Sequence, residues 1–157
     1  MKKLVMLAAV LAVAVNVFAA EKSFIKGSIV GPICLPKNVS EVGGLDIGLL
    51  STKTPSVTGV QLAIGVSTTE EMVGLQSAWI MSVNTKKLTG VQGGIVASCE
   101  GDATGVQWGF INKADNMTGV QFGFVNWANK MKGIQLGLVN TIKTGPLPVF
   151  VFINGNF

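Results

Sequence analysis

Carboxylates stand close together in this chain only as Glu70-Glu71 and as Glu100 with Asp102. Paired carboxylates can hydrolyse glycosidic bonds, but only in a cleft whose apolar wall raises one of the two pKa values. Both pairs lie in polar connecting stretches, where acids are solvated. The chain has no His, no Tyr and no Arg, so all 12 basic residues are Lys. Without His there is no Ser-His-Asp triad, no Cys-His pair, no imidazole base near neutral pH and no imidazole-ligated metal. Without Arg there is no bidentate clamp for phosphate or carboxylate, nor any guanidinium readout of guanine. No Gly-Asp loop recurs as a calcium-binding repeat would require. The residues therefore predict no catalytic group, no metal site and no cofactor, and the protein is expected not to be an enzyme.

Composition fits a folded chain. Of 157 residues, 48% are hydrophobic and only 13% charged, with 20 Gly, which suits one domain and argues against intrinsic disorder. Met1-Lys2-Lys3, the apolar run Leu4 to Val15 and Val17-Phe18-Ala19 read as a secretory signal over residues 1–19, with cleavage after Ala19 or Ala20. The run is broken by Asn16 and is shorter than the roughly 20 apolar residues of a spanning helix. Export to the periplasm, cell surface or outer membrane is expected, without a lipid anchor, because the first Cys is Cys34. In an oxidising compartment Cys34 and Cys99 could pair as a disulfide; they could equally be two buried small apolar residues. The net charge of +4 is scattered, and no basic stripe with stacking aromatics is present, so no nucleic-acid partner is expected.

The elements that would position any site form a tandem array. Gly59-Val60-Gln61, Gly74-Leu75-Gln76, Gly90-Val91-Gln92, Gly105-Val106-Gln107, Gly119-Val120-Gln121 and Gly133-Ile134-Gln135 share one pattern, with Gly44-Leu45-Asp46 as a degenerate earlier copy. Successive copies begin 14 to 16 residues apart. With Gly as position zero, position one is aliphatic throughout. Position four is Gly or Ala, including Gly109, Gly123 and Gly137, and position five is large and apolar: Leu49, Ile64, Trp79, Ile95, Phe110, Phe124 and Leu138. Two residues before each Gly stands another apolar residue, and Thr58, Thr89, Thr104 and Thr118 precede it directly. Position seven is Asn112, Asn126 and Asn140 in the last three copies, but Ser51, Val66, Met81 and Ala97 in the earlier ones.

Alternation of β-branched or aromatic residues with small or polar ones, as in Val120-Gln121-Phe122-Gly123-Phe124-Val125, predicts strands. Two Gly per eight residues would cost a helix about 1 kcal/mol each relative to Ala. The array is thus all-β, and two folds suit it. In a parallel β-solenoid equivalent positions stack about 4.8 Å apart, giving structural ladders of Gln61, Gln76, Gln92, Gln107, Gln121 and Gln135 and of the Asn residues. The alternative is a small 8-stranded antiparallel β-barrel, closed by the aromatic end Val149 to Phe157, with positions one, three and five facing lipid. A barrel would more naturally repeat every two strands. This sequence repeats with every strand, which favours the solenoid. Trp79 and Trp108 then stand at core positions in the solenoid or lipid-facing positions in the barrel, and only Trp127 at a turn. The predicted organisation is a signal segment over 1–19, an N-terminal cap or first strand over 20–43, the array over 44–146 and a C-terminal strand or cap over 147–157.

The Gly-Val/Ile-Gln-x-Gly-x-Val/Ile-Asn copies, best seen from Gly105 to Asn140, resemble the bacterial surface-repeat family first described from a leptospiral protein. The resemblance covers roughly Gly44 to Phe157. It implies an exported or surface-exposed protein whose partner would be an unknown protein or envelope component, with the outer membrane as one possible setting. Sequence alone thus points to a structural or interaction role, with a small outer-membrane barrel protein as the alternative.

Overall fold

The structure is a computed structural model that describes residues 21–31 and 33–157. The expected signal segment lies outside the described residues. The elements are β1 (Lys22–Val30), β2 (Ile33–Leu35), β3 (Glu41–Gly48), β4 (Ser51–Ala63), β5 (Val66–Ala78), β6 (Met81–Ile142) and β7 (Val149–Asn156), with no helix among the described residues. At about 3.3 Å per residue, the 62 residues of β6 would span roughly 200 Å as one straight strand. Instead β6 winds back over itself as successive coils, so that Gly105 lies over Gly90, Gly119 over Gly105 and Gly133 over Gly119.

Neighbouring coils run in the same direction. β3 pairs with β4, and β4 with β5, in parallel at an offset of one repeat: Asp46 lies beside Gln61, which lies beside Gln76. β5 continues onto β6 in the same sense, with one register shift where the repeat lengthens between Thr69 and Glu71. The fold is a parallel β-solenoid. The antiparallel barrel is ruled out, because a barrel of this kind alternates strand direction whereas here Gly, Gln and Ala stack on their own equivalents. Antiparallel pairs occur only at the two ends. β2 folds back on β1, and β7 lies against Gly133 to Thr141 of the last coil. Both edges of the stack are thus covered by a strand running the other way, which occupies backbone groups that would otherwise template further chains. β1 itself stacks in parallel on β3, so the N-terminal segment contributes a strand of the stack as well as its cap.

The interior has two walls of different chemistry. One is apolar, built from the residues two before each repeat glycine, with Val42, Val57, Met72, Leu88, Ala103, Met117 and Met131 buried in one cluster with Cys99, Ala114, Ala128 and Ile142. Each larger member contributes about 1.5 to 3 kcal/mol by leaving water. The other wall is polar and carries the Gln and Asn columns.

The corner glycines are fixed by both conformation and space. Gly119 has φ 130°, a region L side chains rarely adopt, and a Cβ there would collide with the carbonyl oxygen of Gly105 in the coil below. Gly119→Ala should therefore destabilise the protein by about 3 kcal/mol or more, read as a lowered denaturation midpoint in urea. Wild-type stability in that variant would mean that the coils do not approach as closely as described.

Candidate apolar docking face

The residues singled out by the repeat lie inside. Gln61, Gln76, Gln92, Gln107, Gln121 and Gln135 are fully buried. Each donates from Nε2 to the side-chain oxygen of the coil before it: Gln76 to Gln61 at 2.8 Å, Gln92 to Gln76 at 3.1 Å, Gln107 to Gln92 at 2.8 Å, and Gln121 to Gln107 and Gln135 to Gln121 at 2.7 Å. The second Nε2 proton of the later members reaches a backbone carbonyl six residues on, as from Gln107 to Lys113 and from Gln135 to Thr141. The chain of amides starts at Asp46, whose carboxylate accepts from Gln61, Thr52 and Thr54. A carboxylate, which only accepts, suits this place because the residue stacked below it is Lys26, which only donates. Thr54 also accepts from the buried ammonium of Lys26, at 2.7 Å, so a buried charge pair bridged by one hydroxyl anchors the N-terminal end.

The Asn column runs in the opposite sense. Asn112 donates to Asn126, and Asn126 to Asn140, each at 2.8 Å, and all three are fully buried. A Cβ at Gly123 or Gly137 would strike first the carbonyl oxygen of Gly109 or Gly123 in the coil below and then the amide of Asn112 or Asn126, which is why position four is Gly in these copies. In the earlier copies the inward residue comes one position later than the sequence register suggests. Thr52, Ser67 and Ser82 are buried, while Ser51, Val66 and Met81 are only half-buried. In these copies position four carries the buried Ala63 and Ala78.

Cys34 and Cys99 do not form the disulfide considered from sequence; both are free thiols. Cys34 sits on β2 at one end of the sheet, and Cys99 is buried within β6, with β1, β3, β4 and β5 between them at about 4.8 Å per strand. That separation is well beyond the reach of a disulfide. Burial pushes the Cys99 thiol above its ordinary pKa, which keeps it protonated and unreactive. Of the carboxylate pairs, Glu71, Glu100 and Asp102 are exposed. Glu70 is bonded to Lys86 at 2.7 Å, and that hydrogen bond together with the ammonium charge holds it below the usual carboxylate range, opposite to the shift a general acid needs. Asp102 accepts from Asn116 at an exposed position. Among the described residues no group of three or more His, Cys, Asp or Glu gathers as a metal site, and no helix is long and apolar enough to cross a membrane.

What the coils turn outward is apolar. Trp79 and Trp108, expected in the core, are 76% and 51% exposed, and Phe110, Phe122 and Phe124 are more than half exposed. The reason is steric and chemical together. Alternation puts positions three and five on the face opposite to Gln and Gly, and the inner face is already filled by amides that need one another. The side chains of position five form a ridge along the solenoid axis, and Trp108, Phe122 and Leu136 of position three form a shorter one about 7 Å from it, as expected for residues i and i+2, which Ser77 and Gly93 interrupt in the earlier coils. Between them runs a furrow of about 1230 Å³. Its walls are Trp108, Phe122 and Leu136 on one side and Ile64, Trp79, Ile95, Phe110, Phe124 and Leu138 on the other, with the backbone of Gly94, Gly109, Gly123 and Gly137 as its floor. Phe110 and Phe124 stack with ring centroids 4.5 Å apart, close to the coil spacing. A Cβ at Gly93 would meet the Trp108 indole, so that glycine lets the ring lie down on the coil below. Among the described residues no charged one lines the furrow. Trp127 lies elsewhere and half-buried, with Lys113 and Lys143 ammonium groups each 5.4 Å from its ring.

Two outcomes test these placements. Gln107→Leu should cost about 2 to 5 kcal/mol in a denaturation titration, because it strands the Gln92 oxygen and weakens the hold on Gln121 inside the stack. An unchanged midpoint would remove the ladder as a source of stability. In thiol labelling followed by mass spectrometry, Cys34 should react in the native protein and Cys99 only after denaturation; equal rates would contradict the burial of Cys99.

No family model, curated protein or solved structure matches this chain.

Proposed function

We propose that this chain is an exported β-repeat protein with a structural or interaction role and no catalytic activity of its own, working at the cell surface or elsewhere in the envelope through its apolar face. The observation that carries the reading is the uncharged ridge-and-furrow surface with Trp79 and Phe122 standing in solvent. The largest apolar patch of an ordinary soluble monomer covers about 300 to 600 Å² and is often functional. Five aromatic side chains of roughly 200 Å² each, more than half exposed, already reach about that size before any aliphatic neighbour is added. Such a face fits docking onto an apolar surface, whereas a small-molecule site would place a few convergent polar groups in the pocket. The basic, apolar first segment from Met1 to Ala19 supports export.

Fractionation of bacteria expressing the full chain, with the N-terminal mass of the recovered protein, tests the reading. The protein is expected outside the cytoplasm and beginning at residue 20 or 21. Recovery from the cytoplasm with Met1 to Ala19 intact would overturn export.

A further inference from the structure

We infer that the apolar face is covered by the same face of a second copy of this chain, the ridges of one seated in the furrow of the other. The inference rests on the reading of that face as an interaction surface and adds the partner.

Three features point to a second copy. The first is fit. The furrow runs beside the position-five ridge, which repeats once per coil from Ile64 to Leu138, so a second copy offers a ridge of the same pitch as the furrow that receives it. Face-to-face sheets pack about 10 Å apart by this interdigitation. The second is area. The five aromatic side chains with Leu62, Ile64, Ile95, Leu136 and Leu138 leave roughly 800 Å² of apolar surface in water, the amount each partner of a standard stable interface contributes. The third is charge. The chain is basic overall, with a net charge of +4, yet among the described residues no charged one lines the furrow, so two copies meet there without like-charge repulsion. An isologous contact of this kind closes after two copies, because each face is consumed by the other. At both ends the parallel stacking is interrupted by the antiparallel strands β2 and β7.

The test is sedimentation equilibrium of the full chain at micromolar concentration, alongside Phe124→Lys, a double variant with Trp79→Lys, and Thr118→Lys as a control on another exposed surface. Far-ultraviolet circular dichroism of each variant reports whether the coil stack is intact; the replaced side chains of the face are exposed and are not needed for it. The expected result is a dimer for the wild type and for Thr118→Lys, with at least a hundredfold weaker association for Phe124→Lys and a monomer for the double variant. A dimer that survives both face substitutions would overturn the proposal by placing the contact elsewhere. A wild-type monomer that cofloats with neutral phosphatidylcholine vesicles, and loses them in the Phe124→Lys variant, would replace the second copy by lipid while leaving the face an interaction surface. A monomer that binds no vesicle would overturn the second copy and the interaction surface together.

Discussion

Everything in this molecule depends on side-chain amides that hydrogen-bond along the solenoid axis. A Gln inside one coil exchanges a hydrogen bond with the Gln of the coil on either side, so each coil fixes the register of the next. A slip of one residue would bury positions three and five and expel every amide. The chain of donors is directional, from Gln135 down to Gln61 and into Asp46. At the upper end the Gln135 oxygen lacks a donor, as does the Asn112 oxygen at the start of the opposing Asn column. Orphaned acceptors at the ends of a run are the natural cost of a ladder of finite length.

The interior changes character along its length while the ladder persists. In the N-terminal coils the ladder oxygen takes a further bond from a side chain eight residues on: Thr54 to Asp46, Thr69 to Gln61 and Asn84 to Gln76. From Cys99 onward that column becomes Cys99, Ala114, Ala128 and Ile142, all buried and apolar. The Gln side chains there donate to backbone carbonyls instead. The Asn column appears where this polar support disappears. Two different polar arrangements thus line the same narrow space, each complete enough to keep the backbone corners in place.

A polar ladder inside leaves the aromatic residues outside. In an ordinary domain burial of such side chains is the main source of stability. Here the apolar wall of Val, Met and Leu supplies that contribution within the stack, and the Trp and Phe ridges remain available for contact with something else. The residues that hold the stack together and those proposed to make contacts are thus separate sets.

The amino-acid sequence by itself determined the repeat and the β character, and its repetition with every strand favoured parallel stacking of Gln on Gln over a barrel, since these follow from spacing and residue type. Strand alternation also divided Val120, Phe122 and Phe124 from Gln121 and Gly123. It could not say which set lies inside, because a period of two is symmetric between the faces. Only the tertiary structure decided that, through the closeness of the coils. Amides stacked at strand spacing satisfy one another, whereas rings as large as Trp79 or Phe110 do not fit the space they enclose. The same packing decided what local spacing obscured: the one-residue delay that turns Thr52, Ser67 and Ser82 inward, the buried Lys26 joined through Thr54 to Asp46, and the separation of Cys34 from Cys99. Each of these depends on which coil lies above which, a relation between residues far apart in the chain that no local pattern encodes.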